Sequence, residues 1–279
     1  MSQAVLISPE QLKQLQAGAE PFVLLDCGFD LFDPTVGEAA YRVAHLPGAL
    51  YAHLDRDLSG PKTGRNGRHP LPDPAEFAIT AGRWGIAPGV QVVAYDAQGG
   101  LFAARAWWLL RWLGHRDVRL LDGGVAAWCA GGGTMTDVPG QARARPPYPC
   151  TQPAMPTIDA DTLLARLGQV TLFDARAAER FRGEVEPIDP VAGRIPGARL
   201  RFVKDNLRPD GRLKPAAQLR EEFTALGAAG GQIVHQCGSG AASCFNLMAM
   251  MHAGFDAPTL YPGSWSEWCS DPARPIARG

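Results

Sequence analysis

Short apolar runs alternate with helical patterns along the whole chain. In the first half, the runs that predict buried strands are residues 23–25, 92–95 and 118–121. In the second half, they are residues 170–173, 233–235 and 259–261. Amphipathic segments, such as residues 103–113 and 245–253, lie between these runs. Buried strands that alternate with helices predict an α/β fold, in which mainly parallel sheets are flanked by helices.

The two halves of the chain carry similar short motifs in the same order. Residues 24–26 (LLD) match 172–174 (LFD), and residues 45–49 (HLPGA) match 194–198 (RIPGA). Residues 92–96 (VVAYD) match 233–237 (IVHQC), and 121–124 (LDGG) before Trp128 match 261–264 (YPGS) before Trp268. Four matches in one order indicate an internal duplication.

A proline-rich stretch separates the two copies. Residues 136–157 contain Pro139, Pro146, Pro147, Pro149, Pro153 and Pro156. So many prolines cannot continue a helix or a central strand. We therefore predict an extended linker over residues 136–157, with one domain over residues 1–135 and another over residues 158–279.

One cysteine stands in a context that packing alone does not explain. Cys237 follows an apolar run and opens the loop Gly238-Ser239-Gly240, after which a helical pattern begins. Both glycines can adopt positive φ without a Cβ clash, so the loop can turn its N–H groups inward. Backbone N–H groups and a helix N-terminus around the sulfur favour the nucleophilic thiolate. The first copy has Asp96 at the matching position, so sulfur chemistry is predicted for the second copy only.

The other cysteines fit structural roles. No cysteine pair has C-x-x-C spacing, so the sequence predicts no zinc site, and in a reducing compartment we expect no disulfide framework. We expect Cys27, Cys129 and Cys244 to be small buried side chains, and Cys150 and Cys269 to be partly exposed.

Composition narrows the class of protein and its partners. The chain has 279 residues, of which 46% are hydrophobic and 20% charged, with a formal net charge of −1. These values are typical of a globular protein with a full core, and they argue against a nucleic-acid partner. No apolar run has membrane-spanning length, and the first residues lack the features of a signal peptide. We expect a cytoplasmic monomer with no membrane partner.

These motifs resemble the rhodanese superfamily, and specifically its two-domain sulfurtransferases, over essentially the whole chain. The resemblance is carried by residues 47–49, 121–124, 196–198, 237–240 and 261–268. The Cys-Gly-Ser-Gly loop is most similar to 3-mercaptopyruvate sulfurtransferases, since thiosulfate-preferring members usually place charged residues after the cysteine. The resemblance implies two tandem rhodanese-like domains and a Cys237 persulfide, formed without metal or organic cofactor. It also implies a small anionic donor, 3-mercaptopyruvate or thiosulfate, and a thiol, thioredoxin or cyanide acceptor.

The same resemblance implies a set of catalytic side chains. Ser239 would act with a histidine that precedes a Leu-Pro element, here His69, and with an aspartate that follows the first Pro-Gly-Ala, here Asp55. Asp57 is a rival for Asp55, because the segment 59–68 is longer than the family pattern. Such a trio would move a proton to the pyruvate enolate.

Donor binding is implied for arginine and for the loop backbone. Arg180 matches a substrate-binding arginine, and guanidinium groups bind carboxylates in a bidentate manner. The second arginine of the family is missing, because Ile188 follows Glu186-Pro187, and Arg194 is the candidate substitute. The expected anion-binding backbone comprises Gly238, Gly240, Ala241, Ala242 and Ser243. Val-Thr-Ala is usual where this chain has Ala241-Ala242-Ser243, and Ser243 is expected to cap the next helix.

Three other functions compete with this one. A thiosulfate-preferring sulfurtransferase would use the same cysteine. A cysteine phosphatase needs histidine before the cysteine and arginine after five loop residues, where this chain has Gln236 and Ser243. A non-catalytic sulfur carrier or binding module would accept sulfur without multiple turnover.

Overall fold

The computed structural model describes residues 4–150, 152–228 and 230–279, which form two compact units. The first unit comprises Met1–Ser59, Pro72–Met155 and Leu207–Leu213. The second comprises Gly60–Leu71, Pro156–Asn206 and Lys214–Gly279. Each unit thus includes a short segment from the opposite half of the sequence. The domain limits predicted at residues 135 and 158 stay predictions.

The first unit is built on a parallel sheet with the order β1-β5-β4-β2-β3. Its strands are β1 (Leu6–Ile7), β2 (Phe22–Asp26), β3 (Leu50–Tyr51), β4 (Gln91–Tyr95) and β5 (Val118–Leu121). Its helices are α1 (Pro9–Ala17), α2 (Thr35–Val43), α3 (Pro74–Arg83), α4 (Ala103–Trp112) and α5 (Gly124–Ala130). The central strands β2 and β4 are almost entirely buried, as expected for a sheet that is covered on both faces.

Local sequence determines where the first helices begin. Ser8 and Gln11 form a capping box at the start of α1, in which the Ser8 side chain accepts the Gln11 N–H. Asp73 caps α3 by accepting the N–H groups of Ala75 and Glu76, and Pro74 occupies the first helical position. These caps satisfy N–H groups that have no partner inside the helix.

The second unit repeats the same arrangement around a parallel sheet with the order β7-β6-β8-β9. Its strands are β6 (Thr171–Asp174), β7 (Arg199–Leu200), β8 (Ile233–Gln236) and β9 (Thr259–Leu260). Its helices are α6 (Ala160–Ala165), α7 (Ala178–Arg182), α8 (Ala216–Ala225), α9 (Ser243–His252) and α10 (Ser264–Trp268), with a 3-10 helix at Val203–Asn206. Strand β8 lies between β9 and β6, as β4 lies between β5 and β2. The predicted α/β fold with two related sheets is confirmed.

Tryptophan side chains fill the two cores. Trp107, Trp108 and Trp112 of α4 are buried in the first unit. Trp265 and Trp268 of α10 are buried in the second unit, where Trp268 belongs to the cluster around Leu172 and Val234. Within the part of the chain that the structure describes, no helix combines the length and hydrophobicity needed to cross a membrane.

The predicted linker region packs along helices of the first unit. The Arg145 N–H donates to the Gly82 carbonyl, and the Tyr148 N–H donates to the Ala78 carbonyl, so the chain follows α3. Further on, the Ala154 N–H donates to the carbonyl of Trp112, at the end of α4. Gly82 is required by this approach, since a Cβ there would lie 2.4 Å from the Pro146 carbonyl oxygen.

The structural cysteines follow the predictions only in part. Cys27 and Cys244 are buried and Cys150 is partly exposed, as predicted, and burial raises the pKa of the Cys27 thiol. Two predictions were wrong, because Cys129 is exposed and Cys269 is buried. Cys129 lies on the outer face at the end of α5, whereas Cys269 packs into the second core beside Trp268.

The loop after β4 encloses a buried carboxylate. Asp96 Oδ1 accepts the N–H groups of Gln98 and Gly100 at 2.8 and 2.7 Å. Its Oδ2 accepts those of Phe102 and Ala103 at 2.9 Å each, where α4 begins. The N–H groups of this strand-to-helix loop therefore converge on one anionic side chain, as in an anion-binding nest.

Asp96→Asn is expected to lower the free energy of unfolding by about 2 kcal/mol or more, because the amide places an NH₂ donor against backbone N–H groups that need an acceptor. Denaturant unfolding of the variant measures this loss. Asp137→Asn, at an exposed position of the first unit, is the control and should unfold like the wild type. Equal stability of the two variants would contradict an anion-dependent loop.

Candidate functional site

Cys237 lies at the carboxyl end of β8, where the strand turns into the loop before α9. Its N–H donates to Ser264 Oγ at 3.1 Å, and its carbonyl accepts the Trp265 N–H at 3.0 Å. Ser264 is held at φ +55°, in the left-handed conformation. It is the only non-glycine residue with positive φ among the described residues. The start of α10 therefore fixes the backbone of Cys237.

The sulfur of Cys237 faces backbone donors of its own loop. The N–H groups of Gly240 and Ser239 point to Sγ at 3.2 and 3.5 Å. Gly240 adopts φ +79°, and a Cβ there would lie 2.3 Å from the Pro262 carbonyl oxygen. Only glycine fits at this position without moving the chain, so the prediction for Gly240 is confirmed.

A positive φ is not the reason for glycine at position 238, so this part of the prediction was wrong. Gly238 is absent from the described glycines with positive φ, so its conformation does not require glycine. A Cβ there would instead lie 2.8 Å from Arg68 Nη2 and 3.5 Å from Arg180 Nη1. Gly238 thus leaves space for arginine side chains directly beside Cys237.

The rest of the loop has unused donors. The N–H groups of Ala241, Ala242 and Ser243 have no acceptor among the described residues. The prediction that Ser243 caps α9 was wrong, because Ala242 occupies the cap position and Ser243 is the first helical residue. The buried Ser243 hydroxyl has no partner within the described chain. This helix start is therefore well suited to bind an external anion.

Ser239 and His69 form a buried pair in the second unit. Ser239 Oγ and His69 Nδ1 are 2.6 Å apart, and each residue is only 4% exposed. The segment Gly60–Leu71 brings His69 there and is closed by a hydrogen bond from the Gly60 N–H to the Pro70 carbonyl. The Arg68 N–H donates to Ser266 Oγ at 3.1 Å, which ties this segment to α10.

Acidic side chains hold the arginines beside the loop. Arg180, in α7, pairs with Glu186 at 2.7 Å and with Asp189 at 3.1 Å. Arg68 pairs with the same Asp189 carboxylate. Sequence reasoning missed Arg68, although its position directly before His69 was a usable signal. Arg182 is half-exposed and pairs with Glu184.

Arg194 is engaged away from the cysteine loop. Its guanidinium lies 4.7 Å from the centre of the Phe181 ring, and Nη1 donates to the Gly279 carbonyl at 2.5 Å. None of its contacts within the described residues reaches residues 237–243. The structure therefore does not bring Arg194 together with Cys237 and Arg180.

Asp55 and Asp57 belong to the first unit. The Asp55 N–H donates to His53 Nδ1 at 3.1 Å. The Asp57 carboxylate accepts the His53 N–H at 2.9 Å and pairs with Arg56. Asp57 is thus committed to local contacts, and the predicted partnership of Asp55 with His69 stays a prediction.

Among the described residues, no group of three or more His, Cys, Asp or Glu side chains is arranged to hold a metal ion. The side chains around Cys237 are instead arginines, a serine and a histidine. They provide positive charge and a route for a proton, which are the requirements of nucleophilic chemistry on an anion.

Comparison with known proteins agrees with the fold. The model of the rhodanese-like domain matches residues 8–131 and again residues 159–271. A probable 3-mercaptopyruvate sulfurtransferase from Pseudomonas aeruginosa is 52% identical over 100% of both chains. A putative thiosulfate sulfurtransferase from Mycobacterium tuberculosis is 40% identical over 99% of this chain and 97% of its own.

A solved structure extends this likeness to three dimensions. The 3-mercaptopyruvate sulfurtransferase from Leishmania major superposes with a TM-score of 0.83 at 30% identity, covering 95% of this chain and 74% of that one. Fold, sequence and repeated domain model therefore agree. The chain belongs to the family of rhodanese-like domain proteins, as a sulfurtransferase that moves sulfur from a donor to a thiol acceptor.

Proposed function

We propose that the protein transfers the sulfur of 3-mercaptopyruvate to a thiol acceptor through a persulfide on Cys237. The observation that carries this proposal is the contact of Cys237 Sγ with the N–H groups of Ser239 and Gly240. Hydrogen-bond donors of this kind stabilise negative charge on sulfur, first as the attacking thiolate and then as the persulfide anion.

The loop around Asp96 supports a persulfide in the equivalent loop of the second unit. A carboxylate oxygen of Asp96 is three bonds from its Cα, and the outer sulfur of a cysteine persulfide is also three bonds away. Asp96 accepts hydrogen bonds from N–H groups of residues up to Ala103. The N–H groups of Ala241, Ala242 and Ser243, in the corresponding part of the second loop, have no acceptor among the described residues. The outer sulfur would accept these donors. The first copy carries a fixed carboxyl group there and is proposed to be inactive.

The reaction proceeds in two steps. The Cys237 thiolate attacks the sulfur of the donor, an S–S bond forms, and the carbon–sulfur bond of mercaptopyruvate breaks to release the pyruvate enolate, which is then protonated. In the second step, the acceptor thiol attacks the outer sulfur, and Cys237 leaves as the thiolate. The acceptor, such as a small thiol or reduced thioredoxin, then carries the persulfide. A covalent intermediate predicts ping-pong kinetics.

Ser239 and His69 are proposed to supply the proton for the enolate. Their hydrogen bond of 2.6 Å lets the imidazole exchange a proton with the hydroxyl, which lies two residues after Cys237. With thiosulfate as donor, sulfite leaves as an anion that needs no such proton. The pair therefore matters more for mercaptopyruvate. Asp55 as a third member stays a prediction from the family resemblance.

Thiosulfate is the second candidate donor. A relative 40% identical to this chain is a putative thiosulfate sulfurtransferase, and two arginines beside Gly238 suit either anion. The Ser239–His69 pair favours mercaptopyruvate, since transfer from thiosulfate does not require a proton donor.

We also propose that the protein works in a reducing compartment such as the cytoplasm, because the nucleophile has to stay reduced. A monomeric state is proposed as well.

Cys237→Ser is expected to abolish sulfur transfer to cyanide, because serine is not a nucleophile toward sulfur under these conditions. Thiocyanate production measures the activity, and mass spectrometry of the donor-treated protein measures the persulfide. Wild type should gain the mass of one sulfur atom, and the variant should not. Cys129→Ser, at an exposed cysteine, should behave as wild type. Sulfur transfer by Cys237→Ser would rule out the mechanism.

Ser239→Ala and His69→Ala are each expected to lower kcat/KM for mercaptopyruvate by about 100-fold, the usual range for a lost proton donor, and to lower kcat/KM for thiosulfate much less. Steady-state kinetics with both donors and one acceptor test this, with thiosulfate as the internal reference for folding and loop geometry. Equal losses for the two donors would show a purely structural pair.

A further inference from the structure

The first unit contains a cavity at the end of its sheet opposite to the loop of Asp96. Its volume is about 360 Å³, which lies in the range of small-molecule sites, and its described lining belongs to the first unit alone. The first three residues of β2, which are Phe22, Val23 and Leu24, line it together with Val90, which directly precedes β4. Because β2 and β4 are parallel, the cavity lies at the amino ends of these strands, whereas Asp96 follows the carboxyl end of β4.

An indole side chain forms part of the cavity wall. Trp84, at the end of α3, is only 8% exposed and packs edge-to-face on Phe77, with ring centres 6.3 Å apart. Its indole N–H has no hydrogen-bond acceptor among the described residues. The wall therefore combines a fixed aromatic surface with a donor that has no partner in the described chain.

The predicted linker region supplies two arginines to the same cavity, Arg143 and Arg145. The Arg145 N–H donates to the Gly82 carbonyl at 2.8 Å. The Arg143 carbonyl packs against Gly85, where a Cβ would lie 2.8 Å from the carbonyl oxygen. These contacts hold the backbone of both arginines against the end of α3.

The charged groups of this cavity are not neutralised by the protein. The guanidinium groups of Arg143 and Arg145 have no acceptor within the part of the chain that the structure describes. Glu20 also lines the cavity, and its carboxylate has no partner among the same residues. Two positive charges and one negative charge give the described lining a formal net charge of +1.

We propose that this cavity binds a small organic monoanion, whose carboxylate or sulfonate group pairs with Arg143 and Arg145 while its apolar body lies against Trp84. Guanidinium groups bind such anions through charge-assisted hydrogen bonds, and a tryptophan ring adds apolar contact. A single negative charge is favoured over a polyphosphate, because Glu20 opposes further negative charge. The site is separate from the chemistry of Cys237 and does not rest on the proposed function.

Two probes of the same shape, p-toluenesulfonate and the neutral p-toluenesulfonamide, test the role of charge by isothermal titration calorimetry. The wild type should bind the sulfonate about tenfold more tightly than the sulfonamide. Arg143→Gln and Arg145→Gln should each weaken sulfonate binding about tenfold, since each variant loses a charge-assisted hydrogen bond, and should leave sulfonamide binding unchanged. Wild-type sulfonate affinity in both variants would place the anion elsewhere and overturn the proposal.

Arg208→Gln is the matched control. Arg208 is an exposed arginine of the first unit that pairs with Asp210. Its neighbour Leu207 touches Gly99 in the loop after β4, at the opposite end of the sheet from the cavity. This variant should bind p-toluenesulfonate like the wild type. A loss equal to that of Arg143→Gln would show attraction to the overall charge of the protein and contradict a built site.

Two-dimensional NMR of the indole N–H groups locates the bound probe. The Trp84 signal is assigned by its absence from the spectrum of Trp84→Phe, and p-toluenesulfonate should shift it in the wild type as binding saturates. Inorganic sulfate should bind about tenfold more weakly than p-toluenesulfonate, because it has no apolar body to bury. An unshifted Trp84 signal at saturation, or sulfate binding as tight as that of the probe, would overturn the proposal.

Discussion

Convergence of backbone N–H groups on one point is the interaction on which this protein depends. Where a buried parallel strand passes into a helix, the loop turns its N–H groups inward, and a partner of negative charge must satisfy them. The two copies satisfy these N–H groups with different side chains. Asp96 supplies a fixed carboxylate, whereas Cys237 supplies a sulfur that reaches only the first donors. The remaining N–H groups of the second loop therefore suit an anionic ligand.

Close packing of backbone against backbone keeps the second loop in place. Gly240 touches the Pro262 carbonyl, Ser264 accepts the Cys237 N–H, and Trp265 donates to the Cys237 carbonyl. This packing holds Ser264, a non-glycine residue, at positive φ, which costs on the order of 1 kcal/mol or more. A loop held in this way needs little reorganisation when its charge changes.

Sequence patterns predicted the regular framework well. Apolar runs located β4, β8 and their counterparts to within one or two residues, because buried strands in a parallel sheet are continuous and hydrophobic. Of the two-residue strands, β9 was predicted, whereas β1, β3 and β7 were not. Gly240 was explained correctly by its backbone conformation, since a positive φ is a local property.

Predictions failed where distant parts of the chain meet. The role of Gly238 depends on Arg68, which is 170 positions away in sequence, and no local pattern records that contact. Arg194 was chosen by its position in a motif, yet its partners are Phe181 and the chain end. Charged side chains are long and flexible, so their partners follow from tertiary structure rather than from spacing.

The segment Gly60–Leu71 also determines at what stage of chain synthesis the site can form. Residues 60–71 emerge early in synthesis, but their contacts in the second unit are with residues such as Ser239 and Ser266. Closing a loop of this length is slow compared with local folding. A ribosome-bound chain that ends before β8 therefore contains His69 and Arg68 but not Cys237. The site around Cys237 can form only near the end of translation.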